Sequence, residues 1–225
     1  MIALPVGGRA GGDLFAVYSC GGASHARIVL ADTVGHGSLA SPIAAHIHQL
    51  LHKFEDIRDT AGLLAALNDE FTLKGRTPGK PLRLATVVTA TFDHATGEFN
   101  YAYAGHPRML EWRANADRWR TLGEGLDGLP IGVFAGEPYS EQSVRFDFGD
   151  MVLMFSDAVT EVTSPAGKPL TAKRFSELAS KTLAQLRQPH SLDEFAEALL
   201  DAVSRYHGSG TFEDDLTLLT LRRSG

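Results

Sequence analysis

Four aspartates lie where short apolar runs meet small or turn-forming residues. Each apolar run has the composition of a β-strand, so each carboxylate is predicted at the rim of a sheet. Small residues beside the aspartates leave backbone room for a bound ion and its water. The four segments are Gly11-Gly12-Asp13, Asp32-Thr33-Val34-Gly35-His36-Gly37, Ser156-Asp157-Ala158 and Asp214-Asp215-Leu216-Thr217.

Carboxylates that gather in one place favour hard divalent cations. Mg²⁺ and Mn²⁺ prefer oxygen ligands in near-octahedral geometry and usually retain several waters. Without cations, clustered carboxylates repel one another strongly. Aspartate is also a common turn residue, and spacing alone leaves open whether the four segments converge.

The segments between these aspartates show both helical and strand-like patterns. Apolar residues at helical spacing predict helices over 38–54, 61–73, 172–186 and 192–206. Runs rich in β-branched and aromatic residues predict strands over 14–18, 27–32, 85–92, 99–103, 109–113, 119–122, 143–146, 151–155 and 216–221, with a turn at 93–97. No repeat or long linker interrupts the sequence, so one domain over residues 1–225 is predicted. This order of elements favours antiparallel sheets covered by helices, an α+β fold.

The composition is that of a globular protein and excludes several classes. The chain has 225 residues, of which 44% are hydrophobic and 21% charged. A net charge of −6 with scattered basic residues argues against nucleic-acid binding. No apolar run reaches the roughly eighteen residues that cross a bilayer, and no signal peptide is evident, so a cytoplasmic protein without membrane contact is expected. The single cysteine, Cys20, excludes an internal disulfide framework and a cysteine zinc cluster.

An ordered series of motifs covers nearly the whole chain. The motifs are GGDLF, DTVGHG, ATVVTATFDHATGEFNYAYAGHPRML, GLPIGVF, FGDMVLMFSDAVTE and DDLTLLTLR. In this order, from about Gly11 to Arg222, the series resembles the SpoIIE/RsbU-like branch of the PPM-type metal-dependent phosphatases. The resemblance implies a four-layer α-β-β-α sandwich with a centre for two divalent cations, Mn²⁺ or Mg²⁺. It also implies hydrolysis of phosphoserine or phosphothreonine on a protein.

The resemblance also assigns roles to individual residues. Asp32 resembles the carboxylate that bridges both metals, and the backbone carbonyl of Thr33 resembles a ligand of the second metal. Asp157 and Asp214 resemble the remaining ligands of the first metal, and Asp13 the acidic residue near the second. Catalysis by Asp32, Asp157 and Asp214 then acts through a metal-activated water.

Four further residues near these aspartates have open roles. Asp215 is expected to orient its loop. Arg9 has the spacing of a phosphate-binding arginine in other PPM branches, and the alternative is a solvated surface arginine. His36 is a candidate general acid or a structural histidine of its glycine-rich turn. The family usually has glycine where this chain has Ala158, and a methyl there costs about 1 kcal/mol if the backbone requires a positive φ.

These residues support three hypotheses about function. The first is a phosphatase for a phosphorylated regulatory protein, such as an anti-sigma-factor antagonist of the STAS type, in which Ser156 is not a nucleophile. The second is a pseudophosphatase that sequesters a phosphoprotein without turnover, which Ala158 leaves open. The third is a metal-dependent hydrolase of small phosphomonoesters. The physiological metal, the general acid and the oligomeric state are undetermined by the sequence.

Three competing motifs predict no site. Residues 123–128 match G-x-G-x-x-G, but Pro130 opposes the helix that a dinucleotide site requires. His48 and His52 have the spacing of a zinc-binding H-E-x-x-H, yet Gln49 replaces the glutamate and both histidines are predicted to point away from the apolar face. No G-x-S-x-G elbow supports a serine hydrolase.

Overall fold

The computed structural model describes residues 2–4, 12–19, 24–33, 41–75, 83–186, 190–208, 212 and 214–224. Within these ranges the chain forms ten strands and five helices. In chain order they are β1 (Ile2–Leu4), β2 (Asp13–Ser19), β3 (His25–Thr33), α1 (Ser41–Lys53), α2 (Thr60–Gly75), β4 (Ala85–Asp93), β5 (Glu98–Ala104), β6 (Leu110–Arg113), β7 (Arg118–Thr121), β8 (Glu141–Arg145), β9 (Met151–Phe155), α3 (Ala158–Glu161), α4 (Ala172–Gln185), α5 (Leu192–His207) and β10 (Leu216–Arg222).

The chain divides into two compact units, each built on one five-stranded antiparallel sheet. Unit I, from residues 7–107 and 123–146, has the strand order β2-β3-β4-β5-β8. Unit II, from residues 1–6, 108–122 and 147–225, has the order β1-β10-β9-β6-β7. The α+β class with antiparallel sheets is confirmed, and the single domain over 1–225 stays a prediction.

Helices α1 and α2 bury one face against the sheet of unit I. Alternate strand residues point to the same face, so Val29 and Ala31 of β3 present one apolar surface to the helices. The helical residues buried in this cluster recur at three- and four-residue spacing: Ile43, Ile47, Leu50, Leu51, Leu63, Leu64, Leu67 and Phe71. On the opposite face of α1, His48 and His52 are exposed, as predicted.

Helices α4 and α5 pack on the sheet of unit II in the same way. Phe175 of α4 and Phe195 of α5 are fully buried with Leu153 and Phe155 of β9. Helix α5 begins with a capping box, in which Ser191 and Glu194 each accept a hydrogen bond from the other's backbone N–H. These local signals fix where the helix starts, and its apolar face then docks on the sheet.

A buried ionic cluster supports the hairpin of β6 and β7. Glu111 is fully buried and forms ion pairs with Arg113 and Arg120. Arg113 also donates to Asp150 over 2.8 Å, and Asp150 accepts a further hydrogen bond from the Ala114 backbone. Each buried carboxylate therefore has cationic or backbone donors, which offset the cost of its desolvation.

The predicted elements agree closely with the observed ones. The turn at 93–97 forms as expected, because Asp93 accepts hydrogen bonds from the Ala95 backbone and the Thr96 hydroxyl and Gly97 adopts a φ of 76°. Residues directly after the G-x-G-x-x-G match are not helical, as Pro130 predicts. Strand β1 and the four-residue helix α3 have no counterpart among the predicted elements. None of the helices in the described ranges is long and apolar enough to span a bilayer.

Candidate functional site

Asp13 and Asp32 lie directly opposite each other in unit I. Asp13 begins β2, Asp32 is the penultimate residue of β3, and the register of the two strands pairs them. Directly opposed residues of antiparallel strands point to the same face, with Cβ atoms about 4.5–5.5 Å apart. Both residues are half-buried. Two carboxylates held this close disfavour joint ionisation unless positive charge lies between or beside them.

Thr33 fixes the strand ends that carry this pair. Its side chain is buried, and its hydroxyl donates to the Gly12 carbonyl over 3.1 Å. Gly12 directly precedes Asp13, and Thr33 directly follows Asp32. This hydrogen bond ties the end of β3 to the residue that precedes β2. The backbone carbonyl of Thr33 is the group that the resemblance implies as a metal ligand.

Sequence reasoning missed the continuation of this polar row on the next strand. Thr86 of β4 is the register partner of Asp32, so Asp13, Asp32 and Thr86 share one face across three strands. The Thr86 hydroxyl lies 2.8 Å from Nδ1 of the buried His106. His106 belongs to the Gly-His-Pro segment of the motif series, and this segment was the sequence signal that could have identified His106 as a site residue.

Asp157 and Asp214 are held on neighbouring strands of unit II. Asp157 follows β9 and Asp214 precedes β10, and these two strands pair antiparallel. Between them, the buried Ser156 hydroxyl donates to the Asp215 carbonyl over 3.2 Å and accepts from the Thr217 backbone N–H over 3.0 Å. The Ser156 backbone also donates to the Thr217 carbonyl. These hydrogen bonds hold the end of β9, which precedes Asp157, beside the start of β10, which follows Asp214.

The Asp157 carboxylate is not used to cap α3, although Asp157 occupies the N-cap position. Its backbone carbonyl accepts hydrogen bonds from the Thr160 and Glu161 backbones, while its side chain makes no capping hydrogen bond. Ala158 begins the helix and is buried. Among the described residues only one non-glycine has a positive φ, Asp117, so Ala158 has an ordinary backbone that does not require glycine.

The loop before β10 is ordered by its own carboxylate. Asp214 accepts a hydrogen bond from the Asp215 backbone N–H over 2.8 Å, and Asp215 itself is buried. The Asp215 carbonyl also accepts the hydrogen bond from the Ser156 hydroxyl, which is consistent with the orienting role expected for Asp215.

Two predicted residues, Arg9 and His36, lie outside the described residues.

The structure brings Asp13 together with Asp32, and it places Asp157 and Asp214 on adjoining strand ends. In the ranges described, no three His, Cys, Asp or Glu side chains form a ready metal-binding group. Each aspartate pair would therefore need backbone carbonyls and water to complete octahedral coordination, as is usual for Mg²⁺.

Comparison with known proteins relates the chain to one family. The sequence model of the family described as Stage II sporulation protein E (SpoIIE) matches residues 22–224. Phosphoserine phosphatase RsbU of Bacillus subtilis is 26% identical over 141 residues, which cover 61% of this chain and 38% of RsbU. Protein IcfG of a Synechocystis strain is 23% identical over 146 residues, covering 65% of this chain and 22% of IcfG. The matches thus span well under half of these two relatives.

Solved structures show the same fold. The RsbU and RsbW domains of a Mycobacterium tuberculosis protein match with a TM-score of 0.77 and 26% identity, over 99% of this chain and 58% of that one. The PP2C phosphatase domain of SpoIIE from Bacillus subtilis matches with a TM-score of 0.76 and 21% identity, over 98% of this chain and 61% of that one. RsbX in complex with magnesium matches with a TM-score of 0.63 and 16% identity, over 97% of this chain and 91% of that one. The chain belongs to the SpoIIE family, in the SpoIIE/RsbU-like branch of the PPM-type phosphatases.

Proposed function

We propose that this chain is a metal-dependent phosphatase that hydrolyses phosphoserine or phosphothreonine on a protein. The observation that carries the proposal is the direct opposition of Asp13 and Asp32 across β2 and β3. Two negative charges at this separation repel by roughly 1–4 kcal/mol, depending on the local dielectric constant. A fold that retains such a pair at a strand end favours a bound divalent cation, which converts the repulsion into attraction.

The remaining ligands come from residues already described. The carboxylates of Asp32, Asp157 and Asp214, the Thr33 carbonyl and, directly or through water, Asp13 would hold two divalent cations, Mn²⁺ or Mg²⁺. Their oxygen-only donor set suits hard cations. When bound, such a pair of cations lowers the pKa of a shared water and neutralises charge on the phosphoryl group.

The surrounding residues of this chain position the ligands. The Thr33 hydroxyl joins the ends of β2 and β3, and the Ser156 hydroxyl joins the ends of β9 and β10. Since the Ser156 hydroxyl is buried and hydrogen-bonded on both sides, it is poorly placed to attack a phosphorus atom. This supports hydrolysis by water without a phosphoserine intermediate on the enzyme.

The substrate follows by analogy with the relatives. RsbU is named a phosphoserine phosphatase. For this chain we propose a phosphorylated regulatory protein of the STAS type, such as an anti-sigma-factor antagonist. A shared site alone does not define the substrate, so a small phosphomonoester is the competing outcome of the test below.

The pseudophosphatase alternative depended on Ala158. Because Ala158 begins α3 with an ordinary backbone, its methyl group gives no reason to expect an impaired metal site. The four acidic positions are all present, and catalysis is the hypothesis that they favour.

The test is Mn²⁺-dependent turnover. The purified protein is assayed with p-nitrophenyl phosphate and with a phosphoserine-bearing STAS domain, each with Mn²⁺ and with EDTA. We expect Mn²⁺-dependent release of phosphate from both, and its loss in Asp32→Asn. Asp56→Asn, an exposed residue after α1, is the matched control. Undiminished turnover by Asp32→Asn would refute the proposed site, and turnover of the small ester alone would refute the protein substrate.

A further inference from the structure

A cavity of about 670 Å³ lies within unit II, between the β6–β7 hairpin, the start of β9, the end of β10 and helix α4. Its apolar wall includes Trp112, Met151 and Leu183. Its polar wall includes His190 and Arg222. The cavity is large enough for a small organic molecule, and its wall combines apolar side chains with several polar groups.

His190 is the unusual member of this wall. Its side chain is only 9% exposed, and neither ring nitrogen has a hydrogen-bond partner among the described residues. A neutral imidazole has one donor and one acceptor, and burial without partners costs free energy at both. Since nearly all buried polar groups in proteins are satisfied, the two ring nitrogens require water or a ligand in the cavity.

Arg222 gives the cavity a positive charge. Its Nη1 donates to the His190 backbone carbonyl over 3.3 Å, which holds the guanidinium next to the histidine. No carboxylate pairs with it in the described part of the chain. The other guanidinium N–H groups are thus available to an anion, in the planar arrangement that matches a carboxylate.

The cavity is separate from Asp157 and Asp214, the predicted metal ligands of the same unit. It contacts Met151, the first residue of β9, and Arg222, the last residue of β10. Asp157 and Asp214 lie beyond the opposite ends of these two strands. The five residues of β9 alone extend over roughly 15 Å, so the two sites lie at opposite ends of the strand.

We propose that this cavity binds a small amphiphilic carboxylate. The carboxylate accepts hydrogen bonds from Arg222 and from a ring N–H of His190, and the apolar body packs on Trp112, Met151 and Leu183. The second ring nitrogen takes a water or a ligand hydroxyl. Asp117, on the cavity wall in the β6–β7 turn, repels any anion, and it repels a doubly charged phosphate more strongly than a singly charged carboxylate.

The full chain can be tested with a defined probe. The protein contains two tryptophans, so the indole region of a ¹H–¹⁵N spectrum holds two signals, and Trp119→Phe assigns that of Trp112. The probe is 4-phenylbutyrate, and the matched neutral control is 4-phenylbutan-1-ol. We expect a saturable shift of the Trp112 signal, with a dissociation constant at least fivefold lower for the acid than for the alcohol.

Three variants locate the site. His190→Phe should weaken binding of the acid at least fivefold. Ala184→Trp fills the cavity from an exposed position of α4 without disturbing the core, and should abolish the shift even if the His190 variant fails to fold. His94→Phe, in the exposed turn of unit I, should bind as the wild type does.

Each contrary result overturns the proposal. The absence of a saturable shift would mean that water alone occupies the cavity. Equal affinity for acid and alcohol would refute the carboxylate class. Unchanged binding by Ala184→Trp would place the probe elsewhere. None of these results depends on phosphatase activity, so they leave the proposed function untouched.

Discussion

Asp13 faces Asp32 directly across the β2–β3 pair, on the face of the sheet that Thr86 extends on β4. Like charges in this relationship destabilise a sheet, whereas most cross-strand pairs stabilise it. Repulsion between the two carboxylates should therefore oppose folding of the metal-free protein, and a bound cation would turn this repulsion into attraction. The pair should lower the stability of the protein without a cation and raise it with one. Stability measurements in both conditions can therefore distinguish a metal site from a purely structural feature.

Asp32→Asn should raise the stability of the metal-free protein and abolish its stabilisation by metal. Removing one of two opposed charges should increase the free energy of unfolding in EDTA by about 0.2–1 kcal/mol. At Mn²⁺ one hundred times above its dissociation constant, the wild type should gain about 2.7 kcal/mol and the variant much less. Urea denaturation with and without Mn²⁺ measures both. A variant that is destabilised in EDTA and still responds to Mn²⁺ would contradict the assignment.

Ser156→Ala should lower stability without removing a nucleophile. Two buried hydrogen bonds to the backbones of Asp215 and Thr217 are lost, which should cost about 1–3 kcal/mol in the free energy of unfolding. Ser143→Ala, at an exposed position of β8, is the control. Mass spectrometry of the wild type during turnover should find no phosphate on Ser156. A trapped phosphoserine at residue 156 would contradict a purely structural role for Ser156.

Ala158→Gly, which restores the residue usual in the family, should not improve metal binding. Ala158 begins α3 without a positive φ, so glycine adds backbone freedom to the unfolded chain, and it also removes a methyl group that is buried in the core. The expected loss of stability is about 1–2 kcal/mol, with an unchanged Mn²⁺ affinity in calorimetric titration. A severalfold tighter affinity in the glycine variant would show that the methyl group does hinder the site.

Gly132→Ala and Gly136→Ala should differ although both glycines have a positive φ. At Gly136, with a φ of 77°, a methyl group meets nothing within 4 Å, and only backbone strain of about 1–2 kcal/mol is expected. At Gly132, with a φ of 96°, the methyl group would collide with the Arg83 carbonyl and press on the Phe71 ring. Overpacking should add about 1–3 kcal/mol to that strain. Equal losses in thermal denaturation would show that the collision is relieved by local movement.

Local patterns in the sequence predicted the elements well. Helix α5 could be predicted because its capping residues and its apolar spacing both indicate a helix over the same residues. The turn at 93–97 could be predicted because Asp93 and Gly97 are typical turn residues at these positions. The acidic residues and their positions near strand ends were also predictable, with the help of the family resemblance.

Strand register and long-range contacts were not predictable. That Asp13 opposes Asp32, and that Thr86 joins them, depends on how strands distant in sequence align, and a shift of one residue would turn each side chain to the other face. The buried cluster around Glu111 was missed because its charged residues resemble an ordinary solvated surface in the sequence. Helix α3 was missed because four residues are too few to show a period.

The strand order of unit II constrains how this part of the chain can fold. Strand β10 lies second in the sheet, between β1 and β9, yet it is the last of the described elements in the chain. During synthesis, more than two hundred residues therefore separate β1 from its hydrogen-bonding partner β10, which leaves the ribosome much later. Until then, the apolar faces of α4 and α5 lack part of the sheet that they cover, and they are exposed to chaperones and to neighbouring nascent chains. Completion of this sheet should be the slow step of folding, since contacts of such long sequence separation form late.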